Sequence, residues 1–264
     1  MAGQWVTHSP GAAFTFRGRV IDPRCVTRLV EETPNWRTGL ARNGRLDLGR
    51  CEAEQDKSKI TRRENWVQVD GSPSGGMSIP YDSYEVIARD GSQFVIATDW
   101  SGGGTGKFTD LAIVRKRDAA LLLEKSLLHE TDRCNGGLDN PRVEGDKLFW
   151  SEDITSNDVV RFGDERFSNL YSQLDHGAAN CVATRNMEYD FASGQSRFIS
   201  ITLTGRFYLP PSKFLNDEFG AGNAYQHCFN EYYNGFVKRG QTELGPSALK
   251  EFAQGFKRVC VPKP

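Results

Sequence analysis

A chain of 264 residues with 38% hydrophobic and 25% charged side chains can bury a sizeable core and is too apolar to stay disordered. Lys plus Arg (33) and Asp plus Glu (34) nearly cancel, leaving a net charge of -1, so no long-range field draws nucleic acid or an anionic membrane to the chain. No apolar run approaches the roughly 20 residues needed to span a bilayer, so membrane insertion is not expected.

The composition and pattern predict one exported α+β domain over 1–264: irregular strands and loops over 1–80, a β-rich core over 81–208 and a C-terminal helical hairpin over 209–264. Pro10, Pro23, Pro34, Pro73 and Pro80, with Gly71, Gly75 and Gly76, break every early apolar run, and Trp66-Val67-Gln68-Val69 is the best strand there. Lys57, Lys59, Arg62 and Arg63 sit among Glu52, Glu54, Asp56 and Glu64 and read as a solvated mixed-charge segment. Tyr84 to Arg89 and Ser92 to Trp100 are rich in β-branched and aromatic residues and flank Asp90-Gly91, a hairpin signal. Leu111 to Arg115 continues an antiparallel, meander- or sandwich-like sheet, whereas Ala119 to Leu128 suits a buried strand or a helix capped by Asp118.

Further along, a turn at Glu144-Gly145-Asp146 leads into Lys147 to Trp150, and Ser156-Asn157-Asp158 opens a short helix. Glu188 to Ala192 and Arg197 to Thr204 flank Ser193-Gly194, the second being a strand with Ile199, Ile201 and Leu203 on its dry face. Leu209-Pro210-Pro211-Ser212 ends the strand-rich part. Tyr225, Cys228 or Phe229, Tyr232 and Phe236 then recur at helical spacing, and Gly245-Pro246 opens a helix with Leu249, Phe252, Ala253 and Phe256 on one face. The stripe Tyr225, Phe229, Tyr232 and Phe236 reads as core, with Phe229 and Tyr233 offering a way to extend it into an exposed recognition face.

Six widely spaced cysteines without a Cys-x-x-Cys pair point to disulfides rather than zinc: Cys228 with Cys260 is the preferred bridge, then Cys25 with Cys51 and Cys134 with Cys181. Met1 to Trp5 lacks the apolar core of a signal peptide, so Met1 is expected to be a start added to a mature bacterial sequence destined for the periplasm or the extracellular space. No Asn-x-Ser/Thr acceptor occurs, which agrees with bacterial export.

Ser101-Gly102-Gly103-Gly104-Thr105-Gly106-Lys107 resembles a phosphate loop but lacks the Gly at 101 and the Ser or Thr at 108, and a strand follows it, so it reads as an inter-strand loop. His129 to Gly137 packs an imidazole, carboxylates and Arg133 into what reads as an ordered loop, and Asp175-His176-Gly177 reads as a surface loop. His227 reads as packed on its helix, and the four histidines are too scattered for a metal site. No catalytic motif closes and no cofactor or metal is expected. The expected function is therefore recognition of another protein, as an inhibitor or immunity protein against a toxin or enzyme, through Trp100, Gly103, Gly104 and Lys107 and through Arg133 and Asn135. Two alternatives stand beside it: a secreted hydrolase or toxin using His129 or His176 with a carboxylate, and an envelope or carbohydrate-binding module using exposed Trp100 and Trp150.

Overall fold

A computed structural model of the chain describes residues 4–30, 41–54, 60–72, 78–164, 174–204 and 224–260. The Leu209 to Ser212 breaker and Lys57, Lys59, Pro34, Pro73, Gly75 and Gly76 lie outside the described residues. The chain divides into two compact units, one of residues 1–132, 140–149 and 190–195 and the other of 133–139, 150–189 and 196–264.

The first unit begins with a 3-10 turn over Pro10–Ala13 and the paired strands β1 (Thr15–Phe16) and β2 (Arg19–Val20). Helix α1 (Pro23–Val30), β3 (Ala41–Arg42), β4 (Arg45–Asp47), α2 (Leu48–Glu54), β5 (Ile60–Arg63) and β6 (Trp66–Asp70) follow. Four long strands complete it: β7 (Tyr81–Asp90), β8 (Gln93–Ser101), β9 (Phe108–Arg117) and β10 (Ala120–Asp132). Strands β5 to β10 are antiparallel neighbours in chain order, and β4 pairs with the start of β10. The β7–β8 hairpin forms as expected but one residue later, since Asp90 pairs with Gln93 and Gly91-Ser92 make the turn. Ala119 to Leu128 resolves as strand: β9 presents a row of backbone donors and acceptors along this edge, and only an extended partner satisfies them.

Helices α1 and α2 depart from the irregular reading of the first eighty residues. Pro23 hid α1, although proline fits the first helical position, where its missing N–H has no intrahelical role. Asp22 caps this helix by accepting from the Arg24 N–H at 3.0 Å and also holds the Arg24 guanidinium. Cys25, Val26, Leu29 and Val30 of α1 are buried together with Tyr84, Val86, Phe94, Ile96, Ala112, Val114 and Leu121, which share one face of the sheet. Cys25 is joined to Cys51 of α2 across 26 residues.

Strands β11 (Asn135–Glu144) and β12 (Lys147–Ile154) each carry residues of both units. The second unit continues with α3 (Ser156–Gly163), with β13 (Ala183–Asp190) and β14 (Gln195–Leu203) apart from Asp190 and Gln195, and with α4 (Ala224–Lys238), β15 (Glu243–Leu244) and α5 (Pro246–Cys260). A capping box starts α3, in which the Thr155 hydroxyl accepts from the Asp158 N–H and the Asp158 carboxylate accepts from the Thr155 N–H. Phe229 and Tyr233 of α4 are fully buried, so they form core and not an exposed recognition face. Phe229 meets Phe256, and Phe236 meets Phe252 edge-on, so α4 and α5 pack antiparallel and bring Cys228 level with Cys260.

All three expected disulfides are present, Cys25–Cys51, Cys134–Cys181 and Cys228–Cys260, on a mostly antiparallel sheet with a few helices. Three disulfides indicate an oxidising, non-cytoplasmic environment. Among the described residues no helix is long and apolar enough to cross a membrane. Thiol titration of the denatured, non-reduced protein should find no free thiol, and Cys25→Ala with Cys51→Ala should lower stability in urea by about 2–4 kcal/mol through the freed loop.

Candidate functional site

The expected loop joins β8 to β9 over residues 102–107 and is held at several points. The Ser78 hydroxyl donates to the Gly104 carbonyl at 2.9 Å and the Ser78 N–H to the Gly103 carbonyl at 3.3 Å. The Lys107 N–H donates to Asp132 at 3.1 Å, while its ammonium lies 3.1 Å from Asp99. Tyr81 donates its hydroxyl to the other Asp99 oxygen at 2.7 Å, and burial followed by that bond raises the Tyr81 pKa. Gly103 has φ 88, and a Cβ there would stand 2.9 Å from Pro80 and 3.1 Å from the Ser78 carbonyl, so no other residue fits without a shift. The loop is thus ordered by its anchors, with exposed Lys107 beside it.

Trp100 and Phe108 face each other across β8 and β9, and their rings stack with centroids 4.4 Å apart. Trp100 is half-buried, and its indole N–H has no hydrogen-bond partner among the described residues. Leaving such a donor unpaired costs about 1–3 kcal/mol, which the ring contacts offset in part. Asp82 of β7 pairs with Trp100 in register. Burial raises the Asp82 pKa, opposed by the Thr27 hydroxyl and the Arg28 guanidinium from α1.

A buried polar arrangement in the first unit centres on Asp110, which sequence reasoning missed. Asp110 is fully buried. Its Oδ2 accepts from the Thr98 hydroxyl at 2.7 Å, and its Oδ1 accepts from the Glu130 N–H at 2.7 Å and lies 3.3 Å from His129 Nδ1. Burial raises the Asp110 pKa, with those bonds and His129 opposing it. One signal was available: Asp110 stands in phase with Phe108, Ala112 and Val114 on the dry face of a strand, where a carboxylate needs donors. His129 to Asp132 belong to strand β10 and not to a loop, so His129 is held rigidly with its side chain 35% exposed.

The other expected residues are placed differently. Arg133 occupies the turn before β11 with φ 44, and its carbonyl accepts from the Gly137 N–H at 2.6 Å. Exposed Asn135 opens β11, beside Cys134, whose N–H donates to the Ala178 carbonyl and whose sulfur bonds Cys181. Arg133 and Asn135 belong to the second unit, whereas Trp100, Gly103, Gly104 and Lys107 belong to the first. His176 sits in a loop with Nδ1 3.2 Å from the Leu174 carbonyl, while the Asp175 carboxylate is taken by the Gly177 N–H and the Asn180 amide. No Asp–His dyad forms there. His227 is exposed on α4 beside Glu231, contrary to the packed position expected.

Trp150 is buried at 2% exposure, with its indole N–H donating to Glu152 at 2.9 Å. Glu152 is held in turn by Arg185, which lies over the Phe162 ring at 4.3 Å. The carbohydrate-binding alternative therefore loses one of its two aromatic platforms. The chain matches no protein-family model, no curated protein and no solved structure.

Gly103→Ala should destabilise the protein by about 1–2 kcal/mol, read from the urea midpoint, because the positive φ and the Pro80 contact are both penalised. Asp110 gives a pH-dependent check. Burial raises its folded pKa above the ordinary carboxylate range, so its contribution to stability is present below that range and is lost as pH rises through the folded value. The stability advantage of wild type over Asp110→Asn should shrink as pH rises from about 3.5 toward neutrality. A pH-independent difference between the two urea curves would contradict the burial argument.

Proposed function

We propose that the protein is a non-catalytic binding protein of the bacterial periplasm or extracellular space, and that it inhibits or neutralises a secreted enzyme or toxin by occupying its surface. The observation that carries this reading is the β8–β9 loop, tied to Ser78 and Asp132 and flanked by the Trp100–Phe108 stack and Lys107. A loop ordered before binding loses less conformational freedom on association, and aromatic anchors with an exposed cation at the rim suit protein recognition. Arg133 and Asn135 on the second unit supply a separate patch of the same kind. Disulfides suit a recognition protein that must persist outside the cell.

A second reading, a secreted hydrolase, rests on the 3.3 Å contact between His129 and Asp110. A carboxylate on Nδ1 orients an imidazole and leaves Nε2 as the nitrogen available for proton transfer. This contact favours His129 over His176 as the base, since the Nδ1 of His176 lies against the Leu174 backbone carbonyl.

The two readings separate in one set of assays. The purified protein is incubated with secreted lysozymes, peptidases and nucleases and assayed for stoichiometric inhibition, and it is also assayed alone for hydrolysis. Inhibition should survive His129→Ala combined with His176→Ala, and Trp100→Ala should weaken it by about 1–3 kcal/mol with an unchanged melting transition. Hydrolysis by the wild type alone that disappears in the double-histidine variant would replace the binding reading with the enzymatic one.

A further inference from the structure

We propose that the groove along α4 and α5 in the second unit binds an oxyanion, the carboxylate or phosphate group of a small ligand, between Arg239, Arg258 and the Tyr232 hydroxyl. The groove encloses about 490 Å³, within the usual range for small-molecule sites, and Phe236, Glu243 and Glu251 also line it. It is independent of the loop around Trp100.

Three side chains that can donate line the groove. Arg239 follows the end of α4 and is fixed from two sides, with Nε donating to Gln241 at 2.9 Å and the guanidinium 4.7 Å above the Phe236 ring. Those contacts leave the terminal nitrogens for a ligand. Arg258 lies in the last turn of α5, is exposed, and has no acidic partner within ion-pair distance among the described residues. Both guanidiniums act on Tyr232: burial raises its pKa, and Arg258 and then Arg239 oppose the rise. Its phenol therefore stays protonated at neutral pH and able to donate.

The position of that hydroxyl is built into the packing. The Tyr232 ring is wedged against Phe236 and Phe252, and a Cβ on Gly255 would stand 1.9 Å from the hydroxyl oxygen. Only glycine at 255 lets the phenol lie where it does, yet the hydroxyl has no hydrogen-bond partner among the described residues. Glu243, also on the wall, accepts from the Ser200 and Thr202 hydroxyls, which tie its carboxylate to β14. Glu251 is exposed on the wall of the groove and disfavours ligands carrying several negative charges spread along their length. A single compact oxyanion satisfies the two guanidiniums and the phenol together, as charge-assisted bonds to arginine do.

The test is an amide-resolved NMR titration of the full-length oxidised protein with sodium phosphate and, separately, with sodium succinate, at ionic strength held constant with sodium chloride. Saturable shifts confined to residues around 232, 239 and 258 are expected with at least one of the two anions. Saturation with phosphate alone assigns a phosphorylated ligand, and saturation with succinate alone a carboxylate. Arg258→Gln should weaken binding about tenfold and Tyr232→Phe about threefold, while Lys250→Gln, exposed on α5 outside the groove, should leave it unchanged. Arg239→Gln keeps the test decisive if Tyr232→Phe alters the packing, which a shifted melting transition would reveal. The proposal is overturned if neither anion saturates, or if Arg258→Gln and Arg239→Gln both bind as wild type does.

Discussion

The face of the β6–β9 sheet that carries Val67, Tyr84, Val86, Ile96, Ala112 and Val114 has to be withdrawn from water, and α1 is the element that withdraws it. Each large apolar side chain taken from solvent contributes about 1.5–3 kcal/mol, so this face cannot be left bare. Val26, Leu29 and Val30 supply the cover, and the Tyr84 hydroxyl, buried beneath them, donates to the Ile21 carbonyl at 3.1 Å just before the helix begins. Everything at the start of α1 serves that placement: Pro23 presets the first turn, Asp22 caps it, and Cys25 ties it to Cys51. A helix of eight residues is too short to persist alone, so its stability comes from this packing and from the covalent tie.

That dependence explains which parts of the chain could be read directly. The long strands were legible because their alternation is local: Tyr84 to Arg89 and Ser92 to Trp100 carry it in the residues themselves, and Gly91 supplies the turn. Helix α1 was not, because Pro-Arg-Cys-Val-Thr-Arg-Leu-Val has no long period and takes its conformation from the sheet beneath it. The one-residue displacement of the hairpin turn follows from register, which the whole β7–β8 pairing sets and a dipeptide does not. The cysteine pairing was legible where helix lengths fix relative depth, as for Cys228 and Cys260.

Legibility at the sites divides along the same line. The Gly-rich loop declared itself by composition, and its anchors at Ser78 and Asp132 lie far away in sequence. Trp150 misled because an aromatic residue in a short strand looks the same whether its ring faces solvent or core; only the pairing of its N–H with Glu152 distinguishes the two. Tyr233 misled for a related reason, since it sits one residue off the stripe read from Tyr225 and Tyr232, yet it is the residue α4 buries most completely together with Phe229.

Asp110 shows why a polar pair in a protein interior does not by itself argue catalysis. Between the pairs Leu111–Leu128 and Thr109–Thr131, β10 carries one residue more than β9, so the ladder bulges. Glu130, at the bulge, adopts φ 45 and turns its N–H out of the regular pairing, toward the buried Asp110 carboxylate. Asp110 Oδ1 accepts that N–H at 2.7 Å while Oδ2 accepts the Thr98 hydroxyl, so both oxygens have structural partners before His129 is considered. The carboxylate thus completes the bulge, and the bulge in turn sets the position of the neighbouring His129 ring. The contact between Asp110 and His129 follows from backbone geometry without requiring a reaction. A catalytic role would need a further group placed at the other imidazole nitrogen.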